Sequence, residues 1–219
     1  MWRLNHTIQS DSPCWQCRPS FELITCAEGH GWLVHELQAP LAAGTHIDAP
    51  KHCRGRLTVE SFPEAEWVRA YVFRPSNVTP TTVILRSQLQ DWWDALERPA
   101  TQGSWLFIQT GWGAYFSDGA RYRGVGPLPG EYPHLEGACA DWILERGFVG
   151  LGVDTLCPDS NASFPIHEAL LPSNCWILEN LRYEPDLPEI CEVLVAPIRW
   201  TGATETSTVV LARATADDR

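Results

Sequence analysis

The stretch "LAAGTHIDAPKHC", Leu41–Cys53, sets two histidines and an aspartate around Gly44, Thr45 and Pro50. Side chains two apart on an extended chain share a face, so His46 and Asp48 project together. Imidazole nitrogen and carboxylate oxygen are the usual donors for zinc or manganese. Gly44 permits a sharp turn before them, and Pro50 ends the strand after them. His52, just past the proline, curls back near the metal without having to ligate it. Histidine titrates near neutrality, which suits a general base beside a metal-bound water. Local spacing leaves a plainer reading open, with His46 and His52 as polar residues of a surface turn and Asp48 as a cap.

The rest of the chain bounds what such a segment can serve. At 219 residues the leading expectation is a single domain over 1–219. A composition 44% hydrophobic and 11% aromatic supplies a real core and excludes a disordered chain. A net charge of −11 disfavours nucleic acid and anionic membranes as partners, leaving small molecules and proteins. No apolar run is long enough to span a bilayer. "MWRLNHTIQSDSP" lacks a basic region followed by an apolar one, so the expectation is a cytoplasmic protein. Eight scattered cysteines fit reduced, partly buried thiols there. Cys14 and Cys17 form a lone CxxC, whose zinc or redox reading needs a second pair or a thioredoxin-like context, and neither is evident.

Along the chain, the segment to about Val34 reads as loops and hairpin strands. Strands are expected at Ala70–Arg74 and Trp105–Gln109, and in "FVGLGVDTL", "CWILENL", "CEVLVAPIRW" and "STVVLARA". Helices are expected after Ser87 as N-cap, with Trp92, Trp93 and Leu96 on the apolar face, and from about Leu135 to a stop at Gly147. Strands outnumber the interspersed helices, which predicts an α/β domain around a mixed sheet.

Two distal segments bear on the metal question. "FPIHEALL" carries His167 after a proline turn, and twelve residues on "WILENL" carries Glu179. His167 could cap a helix and Glu179 could be solvated. Glu179 nonetheless follows Trp176, Ile177 and Leu178, where a charge is costly unless paired or coordinated.

Together these segments resemble the metal-dependent cyclase family that includes bacterial kynurenine formamidase and isatin hydrolase. The family's hallmark is H-x-G-T-H-x-D-x-P-x-H, and this chain has "AAGTHIDAPKH" in its place. "QTGWG", "GLGVDTLCPD", "PIHEALL", "ILENL" and "VAPIRWTGA" agree in order and approximate spacing, from "SPCWQCRPSFEL" to the last strand. The resemblance implies a swivelling β/β/α-type fold assembled as homodimers or homotetramers, with active sites near subunit contacts. It implies hydrolysis of a small formamide, lactam or related carbonyl with zinc or manganese. Carried over by position, His46 and Asp48 belong to a first metal site. Asp48, His167 and Glu179 hold a second, with Asp48 bridging. His52 is the general acid/base. Trp15 and Trp112 are candidates for the substrate pocket, with core packing the competing role for both.

The chain departs from the family at Ala42, where the first histidine of the hallmark falls. The first site then keeps His46 and Asp48, fewer than the three protein ligands of a catalytic zinc site. His30 and His35 lie upstream, with no spacing that brings either in. Cys157 stands in "DTLCPD" where relatives commonly have serine. Three explanations stay open: a natural variant working at the second site, a relative with lost or altered catalysis, and an introduced substitution.

Overall fold

The computed structural model describes residues 1–15, 21–29, 31–96, 102–125, 129–160 and 162–215. Cys17 of the CxxC and His30 lie outside them. Strand alternation gives each central strand two apolar faces, and both are used. In β5 and β7 below, Ala70, Val72, Trp105 and Phe107 point into one core, while Tyr71, Phe73, Leu106 and Ile108 point into another.

The strands run β1 (Trp2–Arg3), β2 (Glu22–Gly29), β3 (Trp32–Gln38), β4 (His46–Asp48), β5 (Trp67–Phe73), β6 (Val83–Ile84), β7 (Trp105–Ile108), β8 (His134–Leu135), β9 (Gly150–Val153), β10 (Trp176–Glu179), β11 (Ile190–Pro197) and β12 (Glu205–Ala214). Helices α1 (Arg86–Asp94), α2 (Gly119–Arg123), α3 (Ala138–Glu145) and α4 (Pro165–Leu170) are interspersed. The main sheet has the order β1-β12-β11-β5-β7-β9-β10-β4, parallel from β5 to β10 and antiparallel elsewhere. Strand β4 also pairs with β12, so the sheet closes on itself. The expected α/β architecture around a mixed sheet is present. Inside the closure lie Ile47, Val72, Phe107, Leu178, Val193 and Val210. Helices α1, α3 and α4 cover the outer face over Tyr71, Ile108, Leu151 and Ile177, with Trp142 of α3 in the layer between.

Strand β9 alternates glycine with Leu151 and Val153 for a steric reason. A Cβ on Gly150 would lie 2.3 Å from the Trp105 ring, and one on Gly152 2.7 Å from Phe107. Glycine there admits the two aromatic rings of the neighbouring strand.

Several expected boundaries shift. Strand β5 begins at Trp67 and stops at Phe73, because Val193 and Leu194 of β11 extend the pairing to Val68 and Trp67. Ser87 lies inside α1 and does not cap it. Gln88 Oε1 accepts from Leu85 N at 2.8 Å and Glu136 Oε2 accepts from Arg86 N at 3.0 Å, so the helix start is satisfied without a serine. Leu135 is in a strand, because β8 pairs in parallel with β6, and the helix starts at Ala138. Gly147 does end it, at φ +71°. The early hairpin is real, reaches Gln38, and every side chain of β3 is exposed. Among the described residues no helix is long and apolar enough to cross a membrane. Cys26, Cys53, Cys139, Cys157, Cys175 and Cys191 are free thiols.

Candidate metal centre and catalytic cavity

Strand β4 is three residues long and alternates as its sequence requires: Ile47 enters the closed sheet, and His46 and Asp48 face the other side. Residues directly opposite in antiparallel register share a face. His46 is opposite Glu179 of β10, and Asp48 is opposite Glu205 of β12. Two carboxylates from distant parts of the chain are thereby set beside the HID segment. Asn180, at φ +54°, fixes the entry to β4: its side-chain amide donates to Gly44 O at 3.1 Å, and its carbonyl accepts from Thr45 Oγ1 at 2.6 Å.

His167 arrives from α4. Asp159 accepts from Ile166 N at 2.7 Å, His167 N at 3.1 Å and His167 Nδ1 at 2.7 Å, capping the helix and orienting the imidazole in one stroke. His46 Nδ1 donates to Gly44 O at 2.9 Å. Each ring therefore carries its proton on Nδ1 and turns Nε2 inward. His46 Nε2 is 3.7 Å from Asp48 Oδ1 and 3.3 Å from Glu179 Oε2. His167 Nε2 is 3.5 Å from Asp48 Oδ2 and 3.4 Å from Glu179 Oε1. The four buried side chains make a ring in which each carboxylate offers one oxygen to each imidazole.

The donor set fits a divalent ion. Ligands bound at about 2.0–2.2 Å around a tetrahedral ion stand roughly 3.3–3.6 Å apart, close to the 3.3–3.7 Å separations found here. Donor atoms of His46, Asp48 and Glu179 lie within 4.8 Å of one another, as do those of Asp48, His52 and His167. Glu179, expected in the second site with Asp48 and His167, lies between both histidines. It gives the His46 side a third donor despite Ala42. Burial disfavours a protonated His46, but the hydrogen bond to Glu179 and the charges of Asp48 and Glu179 outweigh it and raise the pKa to about 9. His167 is likewise raised against burial, chiefly by Asp159 and Asp48. A dication neutralises the same carboxylates in place of those protons.

His52 sits on a 3₁₀ turn, Pro50–Cys53, that returns the chain over the site. Its ring centroid is 6.0 Å from that of His167. Nδ1 lies 2.8 Å from Glu205 Oε2, which also accepts from Thr204 Oγ1 at 2.6 Å. The Glu205 hydrogen bond raises the His52 pKa, and the same bond lowers Glu205 to about 2. Sequence reasoning missed Glu205, Asp159 and Asn180. "PD" and "EN" stood inside quoted motifs, but their partners are set by register and helix placement. The alternation in "ETSTVV" was the one signal for Glu205.

His46, Asp48, His52, His167, Glu179, Asn180 and Glu205 open onto one cavity of about 950 Å³, which Trp15, Leu156, Phe164 and Ala42 also line. Arg123 holds Trp15 there by donating to the carbonyls of Cys14 and Trp15, both at 2.6 Å. Trp112 does not line the cavity. It packs with Phe116 and Tyr122 and donates from Nε1 to Tyr122 O at 2.9 Å. Its "QTGWG" loop is instead tied to "GVDT": buried Asp154 accepts from the backbone N–H groups of Thr110 and Gly111, both at 2.8 Å. His35 lies on the exposed hairpin and is not part of the cavity wall.

Solved structures share this architecture. An isatin hydrolase bound to the product analogue thioisatinate aligns with a TM-score of 0.84 at 19% identity, over 96% of this chain and 90% of that one. Isatin hydrolase A from Labrenzia aggregata, bound to benzyl benzoate, aligns at 0.86 and 22% identity over 98% and 93%. A potential metal-dependent hydrolase with cyclase activity aligns at 0.74 and 20% identity over 96% of both chains. At these identities the likeness is one of fold. No curated protein sequence matches the chain. The cyclase family model, described as "Putative cyclase", matches residues 2–160, from β1 through the Asp159 cap of α4. The chain belongs to that cyclase family.

Proposed function

We propose that this protein is a metal-dependent hydrolase of a small cyclic or aryl amide, a formamide or lactam, with lactones open to the same chemistry. The observation that carries the reading is the His46–Asp48–His167–Glu179 ring beside the His52–Glu205 pair in one cavity. The isatin hydrolases that share the fold support a planar cyclic amide as the model substrate. His46, Asp48, His167 and Glu179 would hold zinc or manganese, which supplies an acidified water and a Lewis acid for the carbonyl. With Nδ1–H directed to Glu205, His52 keeps Nε2 as its basic nitrogen. His52 takes the water proton during attack on the carbonyl carbon and returns it to the leaving nitrogen or oxygen. Water adds across the scissile bond, and no covalent enzyme intermediate is needed. Trp15 and Phe164 offer flat apolar walls for an aromatic ring.

Purified protein is expected to carry zinc or manganese and to hydrolyse an aryl formamide or isatin, with His52→Ala abolishing turnover and retaining metal. Metal-free protein with chelator-insensitive activity overturns the reading. Ala42 on the cavity wall favours a second reading, a diverged relative that binds small molecules or closes or dehydrates a ring. It predicts ligand-induced stabilisation without hydrolysis, or products lacking the added water. Comparison with Ala42→His shows whether the missing imidazole limits metal occupancy.

We also propose a homodimer or homotetramer. Leu23, Trp32, Leu33, Val34 and Leu37 are more than half exposed on the β2–β3 hairpin, whose base, Glu22 and Gln38, reaches the cavity rim. A two-stranded hairpin with apolar side chains on both faces is marginal alone, which supports a covering subunit. Light scattering is expected to give a multiple of the chain mass, and paired Trp32→Ser and Leu37→Ser changes to lower it.

A further inference from the structure

We infer that Cys157 is a thiolate ligand on the His167 side of the metal ring, making this a sulfur-containing, zinc-selective centre. The inference rests on the metal-centre reading above. Cys157 lies in the loop between β9 and α4 and is 2% exposed. Thr155 Oγ1 donates to its carbonyl at 2.9 Å and fixes the turn. Its sulfur, a carboxylate oxygen of Asp159 and a ring nitrogen of His167 lie within 4.8 Å of one another. Asp159 is already committed to two backbone N–H groups and to His167 Nδ1. The sulfur is the donor of that group left over. It lies beside the imidazole of His167, a member of the ring.

A second observation points the same way. The Tyr132 hydroxyl is buried, makes no hydrogen bond of normal geometry, and lies against the Cys157 thiol. Thiol sulfur is a weak acceptor, whereas thiolate on a metal accepts strongly, so ligation supplies the acceptor this hydroxyl lacks. Cys14 and Cys53 also line the cavity, but among the described residues only Cys157 joins a cluster of potential ligands. On the His167 side Cys157 Sγ would then join His167 Nε2, Asp48 Oδ2 and Glu179 Oε1. Four donors of mixed nitrogen, oxygen and sulfur type would complete a tetrahedral zinc on this side and leave the three-donor His46 side to hold water, and the soft sulfur discriminates against manganese. Ligation forms the metal–sulfur bond and releases the thiol proton to solvent.

The test is cobalt(II) substitution of metal-stripped, full-length protein, read by absorption. Wild type is expected to show d–d bands of tetrahedral cobalt together with a near-ultraviolet thiolate-to-cobalt charge-transfer band. Cys157→Ser and Cys157→Ala are expected to lose the charge-transfer band, to bind cobalt about tenfold or more weakly, and to narrow the zinc-over-manganese preference. Cys14→Ser is expected to keep the band. Circular dichroism of each metal-free variant shows that it is folded. Cobalt bound without the charge-transfer band, or a band that survives both Cys157 changes, overturns the inference and leaves the metal centre standing. Failure of wild type to bind cobalt, zinc or manganese overturns the metal centre and the inference with it.

Discussion

At the scale of single residues, the site is governed by where each imidazole puts its proton. Gly44 O and Asp159 take the Nδ1 protons of His46 and His167, and Glu205 takes that of His52. The first two arrangements turn Nε2 toward the Asp48 and Glu179 carboxylates, and the third leaves Nε2 of His52 as the ring nitrogen free for the cavity. Glu205 raises the His52 pKa, so a neutral His52 needs a higher pH than free imidazole. Activity that depends on neutral His52 then rises with pH through that raised value. Glu205→Gln is expected to move the acid limb of kcat/KM to lower pH and to reduce kcat about tenfold or more, measured as a pH profile at saturating metal. The same pair has a stability signature. The His52 contribution is full below 6.5 and fades as pH rises through its folded pKa, while the Glu205 contribution is full above 4.5 and fades as pH falls toward about 2. The melting-temperature difference between wild type and Glu205→Gln, both metal-free, should therefore be largest between pH 4.5 and 6.5.

At the scale of elements, two short pieces carry most of the precision. Helix α4 is six residues long, and Asp159 from the preceding loop accepts from its Ile166 and His167 N–H groups and aims His167. Asp159→Ala should weaken zinc binding about 10–100-fold, read by competition with a chromophoric chelator, since it removes the partner that orients a ligand. Strand β9 lies between β7 and β10, the strand that ends in Glu179. Gly150→Ala drives a methyl group into the Trp105 ring and should cost about 1–3 kcal/mol in chemical denaturation. "HID" was legible as a strand with His46 and Asp48 on one face because period-two alternation is local. The Ser87 cap was not, because Gln88 and Glu136 already satisfy the start of α1, and Glu136 comes from a segment fifty residues away.

At the scale of the whole molecule, β4 is the element that closes the main sheet, pairing with β10 on one edge and β12 on the other. A metal held by His46, Asp48, His167 and Glu179 would therefore tie together β4, β10 and α4. Zinc added to stripped protein should raise the melting temperature in proportion to the logarithm of its concentration. Glu179→Ala should remove most of that response, because it takes an oxygen from both histidines at once. A scan of melting temperature against zinc for the two proteins checks this.

The sequence by itself determined the alternation of strands and helices, the shared face of His46 and Asp48, and the identity of His52, His167 and Glu179 as the groups to watch. These follow from short-range periodicity, from turn residues, and from the cost of leaving a charge behind an apolar run. Tertiary structure decided the rest. Antiparallel register brought Glu179 beside His46 and Glu205 beside Asp48, and placed Glu179 between both imidazoles. It sent Trp112 into an aromatic cluster, kept Trp15 on the cavity wall, and set Cys157 against His167. Strand register depends on pairing partners more than a hundred residues apart, and the loops depend on the packing of side chains that have no fixed period, neither of which a local pattern encodes.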